Sequence, residues 1–247
     1  MSMMSKLFGS DDVGIDLGAA NMRVWVKGRG LVMDEPSAEH SFRSGVIPDF
    51  DTAKKALRYC LAKVDGGSLR RPRVLLSVHS DIIEEQKKTL EKAAQAAGAK
   101  EVYMLESPMA AAIGAGLKFC EPQGRMVVNV GASTTESVVI SLAGIVHAKL
   151  IHVGGDAMNS DIDVLGQIAG VAKELLDITD PELAADLVDN GIVLTGGGAL
   201  LRGLDKRLAD ATGLPVRVAD DPAHATIRGI GIVLDELDFL SKHSKRR

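Results

Sequence analysis

Two short stretches of this 247-residue chain have the residue types to hold an anion: Val13-Gly14-Ile15-Asp16-Leu17-Gly18-Ala19-Ala20 and Val127-Val128-Asn129-Val130-Gly131-Ala132-Ser133-Thr134. Each is an apolar run ending in a small-residue loop, with Asp16 or Asn129 just before it. Glycine and alanine let backbone N–H groups converge on a phosphate, because little or no side chain blocks the approach. Two such loops facing each other would form a phosphate clamp. The copies differ in charge: Asn129 is nearly isosteric with aspartate but carries no negative charge. Taken alone, an Asp-x-Gly after a strand is most often just a turn, so the weight rests on the pairing.

The elements that must position these loops repeat. Strands are expected at Val13–Leu17, Met22–Lys27 and Gly30–Met33, with Gly28-Arg29-Gly30 as a turn. A second meander is expected at Met126–Val130, Ser137–Leu142 and Ile145–Val153. An offset of 113 residues lays Asp16 on Asn129 and Gly18 on Gly131, which reads as an internal duplication. Between the meanders, Ala53, Ala56, Leu57, Cys60, Leu61 and Val64 form a helical stripe that Asp51 would cap. Strand Arg73–Val78, helix Ile82–Ala97, strand Glu101–Leu105 and a helix opening at Pro108 follow. After the second meander come a turn at Gly154-Gly155-Asp156 and helices Leu165–Ile178 and Pro181–Val188. Strand Gly191–Thr195, helix Ala199–Ala211, strand Val216–Ala219 and helix Ala223–Leu240 complete the chain. Strands alternating with helices imply α/β layering.

Composition narrows the class. Apolar residues make up 46% and charged residues 25%, as in ordinary globular proteins, while aromatics at 3% leave the core to Val, Ile, Leu, Ala and Met. No apolar run approaches the roughly 20 residues of a spanning helix, and Met1–Asp12 lacks the apolar core of a secretory signal. A net charge of −4 gives no reason to expect nucleic acid, and the basic Lys242–Arg247 end reads as solvated. Cys60 and Cys120 suit a reducing cytosol. His79, His147 and His152 have no metal-ligand spacing, and Asp220-Asp221 before Pro222 reads as a loop and helix start.

Longer runs resemble the actin superfamily, most closely its bacterial MreB branch. They are Gly14-Ile15-Asp16-Leu17-Gly18-Ala19-Ala20-Asn21, Asp34-Glu35-Pro36-Ser37, Gly45-Val46-Ile47-Pro48-Asp49-Phe50, Pro108-Met109-Ala110-Ala111-Ala112-Ile113-Gly114 and Gly191-Ile192-Val193-Leu194-Thr195-Gly196-Gly197-Gly198-Ala199-Leu200-Leu201. The resemblance implies an actin-like ATPase fold made of two duplicated RNase H-like domains. Where that family inserts two upper subdomains, IB and IIB, this chain has only Ala38–Ser44 and Asp156–Ile162. The expected form is therefore IA and IIA only, with residues 12–120 as the first domain and 121–222 as the second. Helix 223–240 is expected to pack back on the first.

The resemblance also implies a site for ATP or ADP with Mg2+. Asp16 and Asn129 stand at its metal positions, the latter weakened. Gly18, Ala19, Ala20 and Asn21 form the first phosphate loop; Gly131, Ala132, Ser133 and Thr134 form the second. Ala132 and Ser133 replace glycines, and Ala19 and Met22 stand where the family has hydroxyls. Gly155 and Asp156 adjoin the second loop, and Gly196, Gly197 and Gly198 form the adenosine turn. Glu106 matches the water-positioning residue, with Ser107 replacing a second glutamate; Glu106 read without the resemblance is a helix cap. The implied protein self-assembles into filaments and is at most a weak ATPase. The alternative is a nucleotide-independent scaffold, or a binding partner of a full-length MreB-type protein. A sugar-kinase relative would need a substrate pocket that no insert here supplies. The resemblance places the protein in the cytoplasm. Contact with the inner face of the membrane would run through the N-terminal segment or Ser68-Leu69-Arg70-Arg71, where one apolar residue sits beside two arginines.

Overall fold

The structure is a computed structural model that describes residues 12–37, 49–64, 71–159 and 163–244. The expected membrane foot at 1–11, the bridge Ala38–Ser44 with the Val46–Pro48 run, Ser68–Arg70 and the extreme tail lie outside the described residues.

The first meander is β1 (Val13–Leu17), β2 (Asn21–Val26) and β3 (Gly30–Pro36), paired antiparallel, with β4 (Arg73–Val78) and β5 (Glu101–Glu106) added in parallel on the other side of β1. The second repeats this plan. β6 (Arg125–Val130), β7 (Thr135–Ser141) and β8 (Gly144–Ile151) form the meander, and β9 (Ile192–Thr195) and β10 (Val216–Val218) run parallel beyond β6. The duplication extends to register: Asp16 faces Arg23 across β1–β2, and Asn129 faces Glu136 across β6–β7. The 113-residue offset thus relates Arg23 to Glu136 as it relates Asp16 to Asn129.

Helices α1 (Phe50–Ala62) and α2 (Glu84–Ala97) cover the first sheet. The α1 stripe is buried at Ala53, Ala56, Leu57 and Cys60, as its spacing predicts. Its cap is Asp49 rather than the expected Asp51. The Asp49 carboxylate accepts the N–H groups of Asp51 (3.0 Å) and Thr52 (3.1 Å), satisfying two of the donors that a helix start leaves unpaired. Helices α4 (Val164–Asp177), α5 (Pro181–Asn190) and α6 (Leu204–Thr212) serve the second sheet. The helix expected over Ala199–Ala211 is divided. A 3-10 turn at Gly197–Leu200 precedes α6, because Gly203 at the α6 N-cap adopts a left-handed φ of +84° that breaks the helical path. Another 3-10 turn, Gly155–Asn159, follows the Gly154 turn, and residues 160–163 alone join it to α4.

Between the sheets lie α3 (Ser107–Gly114) and α7 (Ala225–Ser244), packed on one another. α7 also packs on β1, β2 and β4, while α3 reaches β6 and β7. Ile227, Ile230 and Leu234 of α7 are buried with Leu75 and Ala110, and Met109 and Ala112 with Val127 and Val138. Each fully buried Ile, Leu or Val adds about 1.5–3 kcal/mol of transfer free energy. This apolar seam joins the halves and leaves their strand ends facing across a cleft.

Candidate functional site

The loops after β1 and β6 meet in that cleft. Asp16, Gly18, Ala19, Ala20, Asn21, Asn129, Gly131, Ala132, Ser133, Thr134, Gly155, Asp156, Gly196, Gly197 and Gly198 line one cavity of about 350 Å3. That volume lies within the roughly 300–1,000 Å3 of small-molecule sites. Residues 100 or more positions apart are brought together because each strand delivers its loop to the same sheet end.

The first loop is held by Ser37, whose hydroxyl donates to Gly18 O (2.7 Å) and whose N–H donates to Ala20 O (2.8 Å). In the second loop, Gly131 N–H closes onto Thr134 O at 2.8 Å. Gly155 and Asp156 donate to the carbonyls of Gly131 (2.9 Å) and Ala132 (2.8 Å). Among the described residues, the N–H groups of Ala132, Ser133 and Thr134 donate to no backbone acceptor. They remain the donors an anion could use, as in other backbone anion nests. Gly196 has φ +82°, and a Cβ there would lie 2.2 Å from Val130 O; a Cβ on Gly197 would meet nothing within 4 Å. The glycine turn therefore packs tightly on β6 at one residue and opens on the cleft at the next.

Glu106 is not brought into this set. It ends β5 at the N-cap of α3, makes no capping hydrogen bond with its side chain, and does not line the cavity. Ser107, the next residue, does line it. Where the resemblance implies a water-positioning carboxylate, the wall presents a hydroxyl. Met22 also lies elsewhere, wholly buried in the first core.

Among the cleft residues that escaped the sequence reading are Arg23, Ser77, His79 and Glu136. Asp16 is buried, accepts the Ser77 hydroxyl at 2.6 Å and lies 3.7 Å from Arg23 Nη1. Burial pushes its carboxyl above the usual range, against the opposing pull of Ser77 and Arg23. Asn129 Oδ1 accepts from Thr195 at 3.2 Å. Glu136, 2% exposed, accepts both the N–H (2.7 Å) and the hydroxyl (2.8 Å) of Ser80 on one oxygen, and its other oxygen lies 3.4 Å from His79 Nδ1. Burial draws the His79 pKa down, but the contact with Glu136 and the charges of Glu136, Asp81 and Asp16 together raise it. Since β7 carries Glu136 and the loop after β4 carries His79 and Ser80, this cluster ties the two halves at the cleft floor. The one sequence signal that reaches Arg23 and Glu136 is their common offset, read across the meander instead of along the loop.

The charged chain continues outward. Arg23 Nε lies 3.2 Å from Asp34 Oδ1, and Asp34 also accepts Asn21 Nδ2 (2.7 Å) and pairs with His224 Nε2 (2.8 Å). His224 Nδ1 meets Asp221 Oδ1 at 2.8 Å, and Arg228 Nη1 holds the other Asp221 oxygen at 3.1 Å. Hydrogen bonds to Asp221 and Asp34 raise the His224 pKa above its ordinary value. A histidine held this way stabilises the fold fully below its unfolded pKa of about 6.5, and that stability is lost as pH rises through the raised folded value. His224→Ala should therefore destabilise the protein at pH 6 and make much less difference at pH 9. Chemical denaturation of both proteins at the two pH values checks this, and an equal loss at both would refute it.

The two positions that the resemblance assigns to a metal, Asp16 and Asn129, present a poor ligand set for a divalent ion. Mg2+ is held through oxygen donors, usually one or two carboxylates together with phosphate oxygens and waters. Asp16 has one oxygen on the Ser77 hydroxyl and the other facing the Arg23 guanidinium at 3.7 Å, Asn129 is neutral with its oxygen on Thr195, and Glu136 is engaged by Ser80 and His79; Asp156 lines the same cavity. Among the described residues no group of three His, Cys, Asp or Glu side chains is placed to hold a metal.

Duplicated mixed sheets, each with a three-strand meander, about a loop-lined cleft define an actin-like fold. The family model described as MreB/Mbl protein matches residues 38–164 and 162–242. The cell shape-determining protein MreB of Escherichia coli K12 is 32% identical over 338 aligned residues, covering 96% of this chain and 97% of that protein. Mbl of Bacillus subtilis 168 is 30% identical, covering 94% and 98%. MreB5 of Spiroplasma citri, solved with AMPPNP, superposes with a TM-score of 0.86 at 24% identity over 95% of this chain and 99% of that one. The MamK double helical filament gives 0.71 at 17% identity over 92% and 99%. The chain belongs to the MreB/Mbl family. With 96% of its 247 residues it spans 338 aligned positions only by leaving long gaps, and the described residues comprise the IA and IIA subdomains alone.

Proposed function

We propose that this chain is a minimal actin-like cytoskeletal protein that self-assembles into filaments. On this reading an adenine nucleotide binds in the cleft weakly, with little or no turnover. The observation that carries the reading is the full duplicated core, with both phosphate loops and the glycine turn converging on one cavity. Relatives named as cell shape-determining proteins and a neighbour solved as a filament support assembly. The loss of the upper subdomains means that any end-to-end contact is made by IA and IIA. The same reading puts the protein in the cytoplasm, with peripheral contact at the inner face of the membrane.

Ser107 and Asn129 favour a second reading, a scaffold that assembles without nucleotide control or binds a full-length MreB-type protein. A serine hydroxyl is a far weaker base than a carboxylate for directing an attacking water, so hydrolysis should be slow whichever reading holds. Pelleting the purified chain with ATP, with ADP and with neither separates them. We expect a substantial pellet in all three conditions. Soluble protein throughout would overturn the filament reading, and strict dependence on ATP would overturn the scaffold.

A further inference from the structure

The cleft of an ATP-binding protein must neutralise several phosphate charges, and here the corner that would hold a metal is occupied by protein. Arg23 reaches it from β2, directly opposite Asp16 in the strand register. Its side chain is 16% exposed and lines the cavity beside Gly18, Ala19 and Ala20. One end of the guanidinium stands 3.7 Å from Asp16, and Nε stands 3.2 Å from Asp34. Nε is buried without an aligned hydrogen-bond acceptor. The planar fork of a guanidinium matches phosphate oxygens in pairs, and its charge is permanent.

We propose that Arg23 is the cleft's resident counter-cation, so that the polyphosphate of an adenine nucleotide binds there without a divalent metal. This inference rests on the nucleotide reading above and goes beyond it. Asp16 then serves the protein as an anchor for Arg23 and Ser77 rather than as a metal ligand. Asn129 fits the same arrangement, since a further carboxylate in a cavity already lined by Asp16, Glu136 and Asp156 would add to the repulsion of a phosphate that no metal shields. The β2 position opposite Asp16 supplies a positive charge, while its duplicate Glu136 is spent on Ser80 and His79. The phosphates would approach from the Arg23 side, towards the N–H groups of Ala132 to Thr134.

The test is ADP affinity by titration calorimetry, measured in excess Mg2+ and again in EDTA, for the full chain and for two variants. For the unmodified chain the two affinities should agree within about threefold, a difference of about 0.65 kcal/mol or less. Arg23→Met should lose at least about tenfold in EDTA, as expected for a lost charge-assisted phosphate contact, and should regain part of it when Mg2+ is added. Arg23→Lys keeps the charge and should retain metal-independent binding, and thermal unfolding of each variant without nucleotide confirms that it is folded. Tight binding in Mg2+ that collapses in EDTA for the unmodified chain would overturn the proposal while leaving the nucleotide reading intact. Equal metal-free affinity in Arg23→Met would overturn it as well. No ADP binding in any buffer would overturn both the proposal and the nucleotide reading.

Discussion

Gly114→Ala is expected to destabilise the protein by about 2–4 kcal/mol, although alanine is the better helix former. In an open helix the change would gain about 1 kcal/mol. Here a Cβ on Gly114 would lie 1.9 Å from the carbonyl oxygen of Ala225, and one on the opposing Gly229 would lie 1.8 Å from Ala110 O. Both obstacles are backbone, so no side-chain rotation relieves them, and α3 and α7 must move apart. Their separation opens the apolar seam that holds the two sheets at their cleft-forming angle, exposing residues such as Ala110, Ala112 and Ile227 that are now fully buried. Gly170→Ala, in the middle of α4, is the control. No atom lies within 4 Å of its added methyl, so it should stabilise by about 0.5–1 kcal/mol. Urea unfolding of the two variants beside the parent checks the pair, and the same sign for both would refute the packing argument.

Glu136→Ala should cost about 3–5 kcal/mol, the range for stranding the partners of a buried charged group. The Ser80 N–H and hydroxyl lose their acceptor and His79 loses its counter-charge. Glu136→Gln, which keeps an oxygen for Ser80 but removes the charge, should cost about 1 kcal/mol. A second readout separates charge from packing. With Glu136 present the His79 pKa is raised despite burial; without the charge, burial should dominate and the value should fall. The sign for stability follows. His79 contributes below its unfolded pKa of about 6.5 and loses that contribution as pH rises through the raised folded value, so the penalty of Glu136→Gln should shrink in alkaline solution. An NMR titration of His79 that is identical in parent and Glu136→Gln would show that Glu136 does not set its charge.

Much of the fold was legible because the decisive signals are local and repeated. β1 and β4 fall on the expected residues, Val13–Leu17 and Arg73–Val78, since short, mostly apolar runs bounded by loops leave little choice. Most other elements differ by a residue or two at their ends. β7 stops at Ser141, for instance, because Leu142 and Ala143 take left-handed φ values of 49° and 60° to form the turn into β8. The loops of the cleft were also legible, as their small residues follow strands and repeat at a fixed offset. What stayed hidden depends on contacts between distant segments. Arg23 and Glu136 look like ordinary outward charges on amphipathic strands until the register sets them opposite Asp16 and Asn129. His79 carries no motif, and only the closing of the two halves brings it to Glu136. Glu106 and Ser107 differ by one position, and the start of α3 decides which of them meets the cavity.

Two core subdomains should suffice for assembly. Sedimentation velocity of the full chain over a range of protein concentrations, with no nucleotide and with EDTA present, tests it most directly when the pelleted material is viewed by negative-stain electron microscopy. The expected result is a monomer boundary that gives way above a threshold concentration to large, fast-sedimenting species, seen as filaments. A single monomer boundary at every concentration, with no filaments in the micrographs, would contradict it.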